Sequence, residues 1–124
     1  MKTVFDSTVL IAHLRGEPRA TNLLLDTPSD DRIASVMSRV EIEGGMRSAE
    51  RADVASLFSV LRLAPVTDAV AARAGEHLRK YRRSHQGIDI VDFVIGATAE
   101  IYEAQLATLN VRHFPMFRGL RPPW

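Results

Sequence analysis

Short apolar runs alternate with amphipathic stretches along this chain, and that alternation restricts its fold more than any other feature. Residues 4–5, 32–35, 61–66 and 105–109 read as strands. Helical spacing fills the intervals: a run opened by Ser7 or Thr8, then 18–25, a run from Ser35 or Ser38 to Gly45, about 49–60, a run capped by Thr67 and Asp68 to about Ser84, and one from about 88 to 101 or 102. Strands separated by helices predict a parallel sheet covered on both faces. Right-handed crossovers then bring every strand's carboxyl end to one edge, where both Asp6 and Asn110 are expected.

The chain has 124 residues, enough for one domain with a proper core. Its 46% hydrophobic and 25% charged content suit a globular protein in water. No apolar run approaches the ~20 residues that span a bilayer. The N-terminus does not read as a signal peptide, because Asp6 interrupts the apolar stretch. With no cysteine, disulfides, thiolate metal sites and cysteine nucleophiles are excluded, and a reducing cytoplasm fits. The net charge of +1 predicts no partner, but Arg79, Lys80, Arg82 and Arg83 form a basic run around Tyr81, and Arg112, Arg118 and Arg121 gather near the end. Such a run is a solvated helix face or, lying shortly before two acids, a phosphate-binding patch.

The acids are isolated rather than clustered in sequence. Asp6 ends the first strand, where open α/β sheets place their ligand crevices. It is either the N-cap of the next helix or a carboxylate that needs a partner or an ion. Asp89 and Asp92 are three apart, and Asp92 sits among Val91, Phe93, Val94 and Ile95, which imply burial. Capping and favourable charge in the first turn are the other reading of this pair. Glu41 precedes Gly45 by four, and a glycine there costs about 1 kcal/mol of helix stability relative to alanine, so close packing or access to a site is expected. Glu43 points elsewhere, toward the surface. Acids without cysteine or a histidine pair suggest a hard cation, Mg²⁺ or Mn²⁺. Glycine-rich phosphate loops, G-x-S-x-G and H-E-x-x-H are absent.

Four segments in order resemble PIN-domain ribonucleases, specifically the VapC toxins of bacterial toxin–antitoxin pairs. Asp6-Ser7-Thr8-Val9-Leu10-Ile11 is similar to D-[ST]-[ST]-x-[LI]-[LI]. Residues 35–45, with Ser35, Ser38, Glu41 and Gly45, resemble S-x-x-[ST]-x-x-E-x-x-x-G. Asp92-Phe93-Val94-Ile95-Gly96-Ala97-Thr98-Ala99 is similar to D-x-x-I-A-A-x-A, and residues 108–114, from Thr108 and Asn110 to His113 and Phe114, to T-x-N-x-x-D-F. The resemblance implies a single PIN domain over residues 1–124, with three α/β/α layers and a short, mostly parallel sheet of four to five strands.

It further implies metal-binding and catalytic acids at Asp6, Glu41 and Asp92, supported by Thr8, Ser38, Thr108 and Asn110. His113 stands where the family pattern often has a fourth acid. Asp89 fills that gap, or three acids suffice, or His113 itself assists Mn²⁺ or contacts a phosphate; a plain turn residue is the other reading of His113. The implied activity is metal-dependent hydrolysis of single-stranded RNA by a cytoplasmic toxin, with no membrane partner. The protein is expected as a homodimer, or as a heterotetramer or larger with a VapB-type antitoxin masking the site. Arg79, Lys80, Arg82, Arg83 and Arg112 are the candidate RNA contacts, and Tyr81 is either a stacking platform or part of the core. The alternative is a PIN-like module that binds RNA or protein with little catalysis. A phosphoacceptor domain is a third reading, which the placement of the only two lysines, Lys2 and Lys80, does not support.

Overall fold

The computed structural model describes residues 1–124. Four strands, β1 (Thr3–Phe5), β2 (Arg32–Ser35), β3 (Arg62–Ala64) and β4 (Gln105–Ala107), form one sheet in the order β3-β2-β1-β4. All three pairings are parallel, with Val4 opposite Ile33 on one side and Leu106 on the other. Six helices connect them: α1 (Ser7–Leu14), α2 (Pro18–Asp26), α3 (Val36–Gly45), α4 (Arg51–Ser59), α5 (Asp68–Tyr81) and α6 (Ile90–Ile101). The expected α/β architecture is therefore present, with four strands and no antiparallel member.

Neighbouring strand residues point to opposite faces, and the core divides accordingly. Phe5 and Ala34 pack with Val9, Leu10, Leu24, Ile42, Leu57 and Phe58 from α1 to α4. Val4 and Ile33 pack instead with Ile95, Ala99, Leu106 and Phe114, beneath α6 and the C-terminal tail. Both faces are covered, which gives the three layers. α5 lies outside α6 through Val70, Ala74, Phe93, Val94 and Ala97. Tyr81 joins this cluster, and its ring meets His85 edge-on at 5.3 Å, so it serves the packing of α5 rather than standing free as a stacking platform.

Several boundaries differ from expectation for local reasons. β3 stops at Ala64 because Pro65 has no N–H to donate to a ladder. β4 ends at Ala107, opposite Phe5, because its partner β1 ends there. α4 starts at Arg51, after a 3₁₀ turn over Ser48–Glu50, and α5 ends at Tyr81 rather than near Ser84. Ser35 and Thr67 cap α3 and α5 by accepting the N–H groups of Met37 and Val70. No helix is long and apolar enough to cross a membrane.

Candidate metal centre

Asp6 occupies the N-cap position of α1, yet its side chain does not cap the helix. The carboxylate is 3% exposed, and its Oδ2 accepts hydrogen bonds from the Thr8 hydroxyl at 2.8 Å and the Thr108 hydroxyl at 2.7 Å. Each threonine is itself held by a backbone N–H just past β4. Leu109 donates to Thr8 Oγ1 at 3.1 Å, and Asn110 to Thr108 Oγ1 at 2.9 Å. The order β1-β4 brings these residues together across about a hundred positions of sequence. The expected supporting roles of Thr8 and Thr108 are thus relays that fix one oxygen of Asp6.

Glu41 reaches the site from the middle of α3. Its Oε1 accepts from the Ser7 hydroxyl at 2.7 Å, and Ser7 Oγ lies 3.0 Å from Ser38 Oγ. A hydroxyl has one proton to give, so Ser7 donates to the carboxylate and Ser38 steadies Ser7. Ser38 therefore acts on Glu41 indirectly. Ser7 is the residue that reading the sequence missed, as it was expected only as a possible cap. The signal was available: Thr8 faces β4, so its neighbour one helical step away turns toward α3, where Ser38 and Glu41 are three apart on one face.

Asp92 lies in the first turn of α6, with Asp89 as its N-cap residue. Asp92 Oδ2 is 2.8 Å from His113 Nδ1, and it also accepts the Asp89 N–H at 3.4 Å. The Asn110 side-chain amide stands 2.9 Å from the same His113 nitrogen. Asp89 itself is exposed; it caps the start of α6, with its backbone N–H directed at Asp92, and its side chain adds charge to the site.

The charges interact. Burial raises the Glu41 carboxyl above its ordinary value, the Ser7 hydrogen bond opposes this, and the charges of Asp6, Asp92 and Asp89 add to the rise. Burial also raises Asp92, against the His113 hydrogen bond, and Asp6 pushes the same way. The acids from β1, α3 and α6 are therefore gathered at one edge of the sheet. They do not form a closed cage: no three His, Asp or Glu side chains stand at distances that would grip an ion. Each of the three carboxylates has one oxygen held by the protein and one that no protein donor reaches. That donor set, all oxygen and mutually repelling, fits a hard divalent cation.

Of two cavities, one borders the site and the other lies away from it. One of about 280 Å³ borders Glu41, with Ile11, Leu14 and Ile42 on its apolar side and Arg15 and Arg47 at its polar side. Gly45 lines it, and a Cβ there would meet nothing within 4 Å, so close packing does not account for that glycine. A cavity of about 410 Å³ lies at the opposite ends of the strands, bordered by Thr3 and Gln105, and touches none of the acids. Glu43 points away, 3.3 Å from Arg39 at the surface. Arg79, Lys80, Arg82, Arg83 and Arg112 are exposed and in no ion pair within the chain.

Comparison with known proteins places this architecture. The PIN domain family model matches residues 3–117. Ribonuclease VapC10 of Mycobacterium tuberculosis is 51% identical over 120 residues, covering 96% of this chain and 90% of that protein. Ribonuclease VapC19 of the same organism is 43% identical, covering 98% of both. Among solved structures, a toxin–antitoxin complex from Klebsiella pneumoniae superposes with a TM-score of 0.83 at 21% identity, covering 99% of this chain and 98% of that one. DNA-bound VapBC from Salmonella typhimurium superposes at 0.82 and 19%, covering 98% and 96%, and at such identities the likeness is one of fold. The chain belongs to the PIN-domain family, among its VapC proteins.

Proposed function

We propose that this protein is a divalent-metal-dependent endoribonuclease, the toxin of a toxin–antitoxin pair, that hydrolyses phosphodiester bonds in single-stranded RNA. The observation that carries the reading is the coupled trio Asp6, Glu41 and Asp92, each with one oxygen fixed and one free. Asp6 and Asp92 would hold Mg²⁺ or Mn²⁺ directly, and Glu41 directly or through water. Bound there, the ion supplies Lewis-acid charge that makes a water more acidic and offsets the charge of the phosphate. The chain's own groups orient and receive. Thr8 and Thr108 keep Asp6 from turning, and His113 stands beside Asp92. Glu41, held ionisable at a raised value, is the carboxylate suited to accept a proton from the attacking water. Arg112 lies on the turn next to His113, and Arg79, Lys80, Arg82 and Arg83 are free to contact the RNA backbone.

The names of the similar ribonucleases support RNA as substrate. That the similar structures are toxin–antitoxin complexes supports an antitoxin partner, for which the part-apolar cavity beside Glu41 offers a seat. The assembly is a homodimer, or a heterotetramer or larger with antitoxin, in the cytoplasm. The test is cleavage of a single-stranded RNA with Mg²⁺ or Mn²⁺ and after chelation. Asp6→Asn and Asp92→Asn should each lower the rate by at least about a hundredfold with the fold retained. Undiminished cleavage by both folded variants would remove the mechanism, and RNA bound but never cut by the native chain would favour the binding module instead.

A further inference from the structure

His113 has no counterpart among the hydrogen-bonded groups on Asp6 and Glu41, which are all hydroxyls. Its Nδ1 lies 2.8 Å from Asp92 Oδ2 and 2.9 Å from Asn110 Nδ2, and since an amide nitrogen only donates, the carboxylate is the one acceptor that an Nδ1–H meets. A ring nitrogen facing a carboxylate at this distance carries the proton and donates it, whatever the charge on the ring. No protein group is hydrogen-bonded to Nε2.

The ring is held in place by packing as well. It sits on a short 3₁₀ turn, Val111–His113, closed by the His113 N–H donating to the Asn110 carbonyl at 3.0 Å. The next residue, Phe114, is 1% exposed and anchors the turn. Phe114 seats against α6 at Gly96, where an added Cβ would lie 3.5 Å from its ring. Gly96 is four residues after Asp92, one helical turn along the same face. The helix that carries the carboxylate thus also carries the notch that seats the turn bearing His113.

We propose, resting on the metal-dependent reading above, that His113 is a positioning residue for Asp92. Its Nδ1–H holds Oδ2, so that Asp92 presents one oxygen to the cation in a fixed direction, while Nε2 is not a ligand. Outer groups that orient a metal-binding side chain in this way commonly change affinity by about 10–100-fold when removed.

The two ring nitrogens can be separated with two amides of different length. An asparagine places its donor near the position of Nδ1, and a glutamine reaches toward that of Nε2. Mn²⁺ binding is measured by calorimetry and by electron paramagnetic resonance on the native chain and on His113→Ala, His113→Asn and His113→Gln, each checked for native circular dichroism. The expected result is binding weakened about tenfold in His113→Ala, recovered in His113→Asn and not in His113→Gln. Recovery by Gln without Asn makes Nε2 a direct ligand and overturns the assignment, and so does failure of Asn to recover binding. Native affinity in His113→Ala overturns it as well. If the native chain itself binds no Mn²⁺, the metal-dependent reading falls first and takes this inference with it.

Discussion

Asp92 shows how one residue serves opposed demands. It is half-buried beside Asp6, and its raised titration marks a cost that its charge imposes on the folded state. Asp92→Asn removes the charge while its amide oxygen can still accept from His113. Its metal-free melting temperature should therefore rise by a few degrees, and the further rise that Mn²⁺ gives the native chain should vanish. Thermal melts with and without Mn²⁺ check both. The pH dependence follows from the same shifts. Glu41 and Asp92 titrate above their ordinary values in the folded protein, so their charged forms destabilise it at neutral pH and protonation relieves this as pH falls. Protons and cation compete for the same oxygens. Mn²⁺ should accordingly raise the melting temperature more at pH 7 than at pH 5, and an equal rise at both would contradict the coupling. Thr108→Val tests the relay: it takes a donor from buried Asp6 and an acceptor from the Asn110 N–H, a loss of about 1–3 kcal/mol by denaturant titration. At this scale Asp6 and Asp92 stood out because an acid among apolar residues needs a reason, and Glu41 through its spacing from Gly45, while the resemblance to PIN domains joined the three. The sequence did not show that Asp89 is exposed, nor that Ser7 binds Glu41, because both depend on the rotation of a helix about its own axis.

Among the elements, α5 and α6 are joined by apolar side chains and, interleaved with them, by a polar cluster. Glu100 on α6 accepts from Arg73 at 2.9 Å and pairs closely with His77, a residue 7% exposed. Burial alone would raise the Glu100 carboxyl, but the hydrogen bonds and charges of Arg73 and His77 outweigh it and hold the value below the ordinary one. A carboxyl lowered by folding adds stability that is present above about pH 4.5 and lost as pH falls through the lowered value. Glu100→Gln should therefore destabilise the protein at pH 7 and flatten the acid limb of its stability curve, as read by urea titrations across pH. An unchanged acid limb would show that the cluster contributes nothing. The amphipathic pattern made α5 and α6 readable as helices, and Thr67 and Ser35 made their neighbours' starts readable. Helix ends were less so: α5 stops at Tyr81 in a stretch of charged residues with no glycine until Gly87.

For the whole molecule, the alternation of strands and helices carried the sheet's parallel sense and its two covered faces, because a three-residue strand such as β1 must point Val4 and Phe5 to opposite sides. The order β3-β2-β1-β4 was not legible from local pattern, since it depends on which crossover passes over which face. In the tail, Phe114, Met116 and Phe117 lie against Gly96. A larger side chain there has no room: Gly96→Val should cost about 1–3 kcal/mol and loosen the turn that carries His113. Hydrogen exchange of residues 111–117 would register the loosening, and unchanged protection would contradict it.

The account as a whole rests on three carboxylates from β1, α3 and α6 sharing one hard cation. Anomalous diffraction from crystals grown with Mn²⁺ tests this most directly. The expected result is a single strong peak bound through the unpartnered oxygens of Asp6 and Asp92, with Glu41 beside it at direct or water-bridged distance. A peak elsewhere, or none at saturating Mn²⁺ with the three acids still apart, would contradict it.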